Sequence, residues 1–258
     1  MPFRPRRRDL LWAAGGLALG AAAARLLPPG GDELLRALAA NPAFLADHPE
    51  LIERAAAVEG ARRDDHESAR RRDAMAGTWK SAFHPAYSPQ LGTPDAPLLL
   101  IEFTDYLCAP CRASAPDIDA SVGRARDVRM ALMLVPVSGA LSDYAAQLAA
   151  GCYFTRPPGF AALHAALMRG GEPTQERIDA AAAAAGYDAE TVRAATAEPV
   201  RLYLDKARRL AEALGLSGVP DFLGESGRLL TGGVSAAMLD DLIAHTREDS
   251  NAKENRRA

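Results

Sequence analysis

Cysteine is scarce in this chain. Only Cys108, Cys111 and Cys152 occur among 258 residues, too few for a disulfide-stapled scaffold or a four-thiolate zinc site. Any thiol chemistry is therefore local. The five histidines (His48, His66, His84, His164 and His245) show no paired spacing that would complete a metal site. Neither sign of charge dominates, since 30 basic residues face 33 acidic ones for a net charge of -3. That removes a general attraction to polyanions, so no nucleic-acid partner is expected. Large apolar side chains are limited as well. The hydrophobic fraction of 48% includes 55 alanines, and without them about 27% of the chain remains apolar. This is enough for one core of ordinary size, in a chain otherwise rich in helix-favouring residues. No internal repeat is present. At roughly 150 residues per domain, the length allows one large domain, or one ordinary domain with an appendage.

The first residues have the character of an address rather than of a fold. Arg4 to Asp9 is basic, Leu10 to Ala24 is apolar and ends in a run of alanines, and Arg7-Arg8-Asp9-Leu10-Leu11 has the layout of a twin-arginine export signal. Residues 1–27 are accordingly expected to direct export, with cleavage near Ala22 to Ala24. The alternative is an uncleaved anchor, because Leu10 to Leu27 approaches the length that spans a bilayer core of roughly 30 Å. Arg25 and the high Gly and Ala content weigh against the anchor.

Residues 32–80 form a helical leader in this reading. Pro28-Pro29-Gly30-Gly31 breaks the chain, Asp32 can cap a helix over Glu33 to Leu38, Asn41-Pro42 interrupts, and a second helix runs from about Pro49 through Ala57. Leu34, Leu35, Leu38, Phe44, Leu45, Leu51 and Ile52 are too few to make a core alone, so residues 32–58 are candidates for homo-oligomerisation. Packing of the leader on its own catalytic domain is the alternative. Residues 60–80 are densely charged, as expected of a solvated helix or stalk.

The texture changes after Ser88. A Gly92 to Pro97 turn leads into Leu98-Leu99-Leu100-Ile101-Glu102-Phe103, a buried-strand pattern broken by one acid. Val128 to Pro136 has the same character, and an amphipathic stretch lies between the two. Strand, helix and strand in this order make a parallel unit with a right-handed crossover. Residues 141–215 are helical in pattern with breaks at Pro157 to Gly159, at Gly170-Gly171 and at Gly186. Short strands are expected at Asp221 to Leu223 and Arg228 to Thr231. A last helix follows Gly232-Gly233, with Ser235 as cap and Met238, Leu239, Leu242 and Ile243 on its apolar face.

Cys108-Ala109-Pro110-Cys111 directly follows the first strand and opens the helix. A thiolate at a helix N-terminus is stabilised by the helix dipole and by unpaired amides, and its pKa falls into a range of roughly 3.5 to 7.5. Cys108 is the candidate nucleophile and Cys111, one turn deeper, the candidate resolving thiol. Exchange needs this asymmetry, because one sulfur is attacked from outside while its neighbour displaces the partner. A purely structural bridge across so short a loop would restrain little unfolded-chain entropy. Glu102 lies six residues before Cys108, and strand alternation places it inward. There it could pass a proton to or from Cys111, the alternative being an outward edge position. Val219-Pro220 precedes a late strand and is a candidate cis peptide, which would turn the Val219 backbone toward the sulfurs to pair with an extended substrate. Cys152, on an apolar helix face, is expected to be a buried small hydrophobe.

Taken jointly, Glu102, the run Phe103 to Cys111, Pro116, the helical insertion and Ser217-Gly218-Val219-Pro220 resemble the DsbA-like branch of the thioredoxin superfamily over about residues 84 to 246. The resemblance implies an α/β thioredoxin fold with an inserted helical domain over about 141–215, spanning 84–248 and preceded by the helical leader. It implies a periplasmic thiol-disulfide oxidoreductase needing no dissociable cofactor and no metal, with Cys108 as nucleophile, Cys111 as resolving thiol, Glu102 as buried acid and Pro220 as the cis-proline. Protein thiols and disulfides would be its substrates and a membrane protein its redox partner. Leu34 to Ala57 is similar to the oligomerisation segment of ScsC-like proteins, which favours self-association. Two departures stand out. Ala109-Pro110 lacks the histidine of strongly oxidising relatives, which favours isomerase or reductase work over oxidation. Asp221 places a carboxylate after Pro220, where it would tend to raise the Cys108 pKa. A copper(I)-handling or peptide-binding protein using Cys108 and Cys111 as soft thiolate ligands is the competing reading.

Overall fold

A computed structural model describes residues 42–75 and 83–255, together with positions 36 and 40. The export signal expected over 1–27 and the leader residues Asp32, Leu34, Leu35 and Leu38 lie outside the described residues. Among the described residues, no helix is long and apolar enough to cross a membrane.

The chain divides into two compact units after Arg62. In the first, helix α1 (Pro42–Asp47) precedes the start of helix α2 (Pro49–Met75). Proline opens both helices, where its missing N–H costs nothing. The α2 helix is longer than the Pro49 to Ala57 segment expected, because the charged stretch that follows continues it. Its charges are spaced for intrahelical support, as in the Glu67–Arg71 pair at 2.6 Å. Phe44, Leu51, Ile52 and Val58 are exposed.

The second unit holds the end of α2 and a five-stranded sheet in the order β1-β3-β2-β4-β5. Its strands are β1 (Gln90–Gly92), β2 (Leu98–Thr104), β3 (Val128–Leu134), β4 (Asp221–Gly224) and β5 (Leu229–Thr231). The central β2 and β3 are parallel, with Glu102 opposite Leu132, and the other pairings are antiparallel. All seven residues of β2 are buried, which requires cover on both faces. Helices α3 (Ala109–Arg124) and α8 (Ala236–Asn255) pack on each other and on the sheet. Helix α4 (Ala140–Thr155) pairs with α7 (Ala189–Ala213), and α7 packs on β3. Between α4 and α7 come a 3-10 turn (Pro157–Gly159), α5 (Phe160–Arg169) and α6 (Gln175–Ala184). The helical block thus occupies the stretch expected from 141 to 215, with its breaks at the expected glycines and prolines.

Three details depart from the sequence reading. The edge strand β1 is too short to show alternation, and its Gly92 had the look of a turn. On α8, Leu239, Leu242 and Ile243 are buried but Met238 is exposed, because the apolar stripe is narrower than expected. That helix also runs beyond residue 248, to Asn255. Where β1 ends, the Tyr203 hydroxyl of α7 takes over the edge of β3, donating to Leu132 O and accepting from Leu134 N, both at 2.8 Å. At the opposite side, the end of α2 seats on the β4–β5 turn. Met75 is buried and Arg72 donates to Ser226 O at 3.4 Å. Gly227, at φ +85°, leaves no room for a Cβ beside the Ser68 carbonyl.

Tyr203→Phe removes a hydroxyl serving two buried strand groups and is expected to destabilise the protein by about 1–3 kcal/mol. Urea unfolding with an unchanged m-value checks this.

Candidate active site

The site is built where β2 and β3 end. Cys108 is the N-cap of α3, with extended backbone, and its Sγ accepts the Cys111 N–H at 3.2 Å. This is the placement that concentrates helix-terminal partial positive charge on one sulfur. Pro110 sits in the first turn, where no N–H is required. Cys108 and Cys111 are joined by a disulfide, with Cα atoms 5.2 Å apart. Cys108 retains 9% exposure and Cys111 none, so one sulfur can be approached and the other cannot. The first-turn position expected for Cys108 is thus present, although that sulfur is more covered than a freely exposed one.

The peptide bond between Val219 and Pro220 is cis. It presents the half-buried Val219 with its carbonyl oxygen 3.5 Å from Cys108 Sγ. Residues 111 positions apart in sequence therefore meet at one sulfur.

Glu102 is fully buried in β2, and neither carboxylate oxygen has a hydrogen-bond partner of ordinary geometry. Burial pushes its carboxyl up to about 7. The Thr104 hydroxyl on the same strand face opposes this in part, while the charge of Asp119 on α3 adds to it. A carboxyl so tuned exchanges its proton near neutrality. Asp221, directly after Pro220, is also buried, and one of its oxygens is unpartnered. Burial pushes it up to about 6 against the pull of Thr231, the Gly232 N–H and Arg71. Its negative charge near the cis-proline is correspondingly weakened at mildly acid pH.

Sequence reasoning passed over Asp105. Its buried carboxylate accepts Leu107 N and Ser142 Oγ on one oxygen, and Val137 N, Ser138 N and Ser138 Oγ on the other, all between 2.6 and 3.0 Å. It also passed over Tyr106, whose hydroxyl lies 3.1 Å from His164 Nδ1. The available signal was an acid directly after a mostly apolar strand. Cys152 is buried in α4, and burial pushes its thiol up to about 12. It is a packing residue without the thiolate character that exchange requires.

A parallel β-α-β unit with cysteines at the start of its helix, a helical block, and a cis-proline entering an antiparallel hairpin define a thioredoxin fold with an insertion. Residues 157–244 match the family model of the DSBA-like thioredoxin domain, a range that holds the cis-proline and lies downstream of the cysteines. No curated protein matches the chain. Among solved structures, a linker-deletion variant of ScsC from Proteus mirabilis is 23% identical with a TM-score of 0.62, covering 86% of this chain and 99% of its own. A thioredoxin-like oxidoreductase from Silicibacter pomeroyi is 28% identical with a TM-score of 0.60, covering 66% and 97%. A periplasmic thioredoxin-like protein from Salmonella enterica is 26% identical with a TM-score of 0.57, covering 65% and 94%. Residues 157–244 thus resemble a DSBA-like thioredoxin domain, and the chain shares its fold with ScsC of Proteus mirabilis.

The buried acid has a consequence for stability. In the folded protein Glu102 keeps its proton to about pH 7, whereas at its ordinary value of 4.5 it is released earlier. The native state therefore binds the extra proton between those values. Its contribution is present at low pH and is lost as pH rises from about 4.5 to about 7, on the order of 3 kcal/mol. Asp221 acts in the same direction at slightly lower pH. Glu102→Gln is expected to flatten the fall in stability of the oxidised protein between pH 5 and pH 8, as read by urea unfolding at the two values.

Proposed function

We propose that this chain is an exported protein thiol-disulfide oxidoreductase whose Cys108 exchanges disulfides with protein substrates, and that it works as an isomerase or reductase rather than as an oxidase. The observation that carries the reading is Cys108 Sγ at the cap of α3, accepting the Cys111 N–H beside the Val219 carbonyl. In the reduced protein, the Cys108 thiolate attacks a substrate disulfide and releases one substrate thiolate, leaving a mixed disulfide. Cys111, deprotonated with Glu102 as proton acceptor, then attacks Cys108 Sγ and releases the second substrate thiol. The enzyme is left oxidised and the substrate reduced by two electrons. If a substrate thiolate attacks the mixed disulfide first, the substrate is isomerised and the enzyme regains its thiolate. An extended substrate segment would pair with the backbone of Val219, held by Pro220.

Two features support the direction. The Ala109-Pro110 dipeptide offers no cationic side chain to stabilise the Cys108 thiolate further, which lowers the driving force for donating a disulfide. The exposed Phe44, Leu51, Ile52 and Val58 are candidates for joining several copies through residues 32–58, so that several active sites face one substrate. Residues 1–27 would direct export to the periplasm, and a membrane protein would keep the cysteines reduced.

Reduced protein is expected to restore activity to a scrambled disulfide substrate, and Cys108→Ser to abolish this. A reduction potential near that of thioredoxin, roughly -270 mV, fits reductase or isomerase work, whereas one above roughly -150 mV assigns disulfide donation. Tight binding of one copper(I) per chain without turnover would sink the enzyme reading. Separately, Leu51→Glu with Ile52→Glu is expected to lower the solution mass to that of a monomer, as measured by light scattering. A wild-type chain that is already monomeric removes the multi-site argument.

A further inference from the structure

The cysteine segment is gripped from both sides by one helix of the insertion. On its N-terminal side, buried Tyr106 lies two residues before Cys108. Its hydroxyl is 3.1 Å from His164 Nδ1 of α5, and the two rings meet edge-on at 5.6 Å. On its C-terminal side, Arg112 directly follows Cys111. Its guanidinium donates to the carbonyls of Gly170 and, at 2.8 Å, Gly171, just past the end of α5. That is the helix end where unpaired carbonyls and the dipole favour a cation. Further along α3, Asp119 pairs with Arg169 of α5 at 3.5 Å. Burial, with Arg169 nearby, holds the His164 imidazole down to about 4, and Tyr106 is held well above its ordinary value. At neutral pH the pair is therefore a phenol and a neutral ring, joined by one hydrogen bond between the hydroxyl and Nδ1.

We propose that α5 is a bracket on the redox segment, with His164 and Arg112 as positioning residues that keep Cys108 Sγ at the α3 cap where the Cys111 N–H reaches it. Neither residue acts on the sulfurs directly. His164 acts through Tyr106 and the short turn to Cys108, and Arg112 acts by fixing the first turn of α3. The insertion then contributes to the reactivity of a thiol that it does not contact through those two side chains. This inference rests on the oxidoreductase reading above, since only an activated thiol gives the bracket something to tune.

The test uses the full chain in reduced form. The pH dependence of Cys108 alkylation by iodoacetamide reports its thiolate pKa, and urea unfolding reports stability. His164→Leu and Arg112→Met are each expected to slow alkylation at pH 7 roughly three- to tenfold and to move the thiolate titration upward. His164→Asn, whose side-chain amide can take the place of Nδ1 as donor or acceptor, should recover most of the rate, and Arg112→Lys part of it. Should His164→Leu fail to fold, Tyr106→Phe removes the same hydrogen bond and keeps the ring. Tyr203→Phe, which leaves the Tyr106–His164 and Arg112 hydrogen bonds intact, is the control, losing stability without a change in thiolate titration. If the bracket variants lose stability but titrate as wild type, the bracket is overturned and the enzyme reading stands. If wild-type Cys108 reacts no faster than a thiol in an unstructured peptide, both fall.

Discussion

A buried carboxylate that is not ion-paired has to be satisfied by hydrogen-bond donors, and among the described residues Asp105 collects five of them. The donors come from the turn ahead of Cys108, from the loop after β3 and from the start of α4. Those segments leave the sheet at the ends of its two parallel strands, where loops would otherwise be free to wander. Asp105 ties them to one point, and its own carbonyl accepts Cys108 N at 3.2 Å. The cap geometry of α3, the entry to the helical insertion and the placement of Tyr106 all follow from that single group. Leaving the buried Asp105 carboxyl short of these donors would cost free energy, so the loop is fixed far more firmly than its length suggests.

Around that fixed loop the site divides its labour by burial. Cys108 keeps a little exposure while Cys111 has none, the asymmetry that the proposed exchange requires. The only ionisable groups buried in the strands are Glu102 and Asp221 among the described residues. Both are shifted toward neutrality by desolvation. The core thus carries proton-exchanging groups where an ordinary sheet carries aliphatic ones. The cost falls on stability at higher pH, as expected where function and packing compete.

Much of this was legible in the sequence, for identifiable reasons. Leu98 to Phe103 and Val128 to Leu134 announce buried parallel strands because burial on both faces erases alternation. Cys108 and Cys111 stand at a strand-to-helix junction that any reader of helix caps can place. Val219-Pro220 was visible because proline marks the few peptide bonds that adopt cis. What stayed hidden depends on contacts between segments distant in sequence. The grip of Arg112 on Gly170 and Gly171 spans about sixty residues, and nothing local distinguishes Arg112 from a surface arginine. His164 sits on an apolar helix face and has the pattern of a core residue, which it also is. Strand β1 escaped because three residues cannot display a period, and Tyr203 because only the paired fold shows which strand edge needs a hydroxyl.

The distance along the chain between Cys108 and the Val219 carbonyl has a further meaning for biogenesis. The two halves of the site are separated by the whole helical insertion, so a growing polypeptide displays its cysteine pair long before the segment that confronts Cys108 has left the ribosome. Closing a loop of that span is entropically demanding and comes after local helices have formed. Between those moments the pair is ordinary thiol chemistry on an incomplete scaffold. Any reactivity that needs both halves therefore waits for the finished topology.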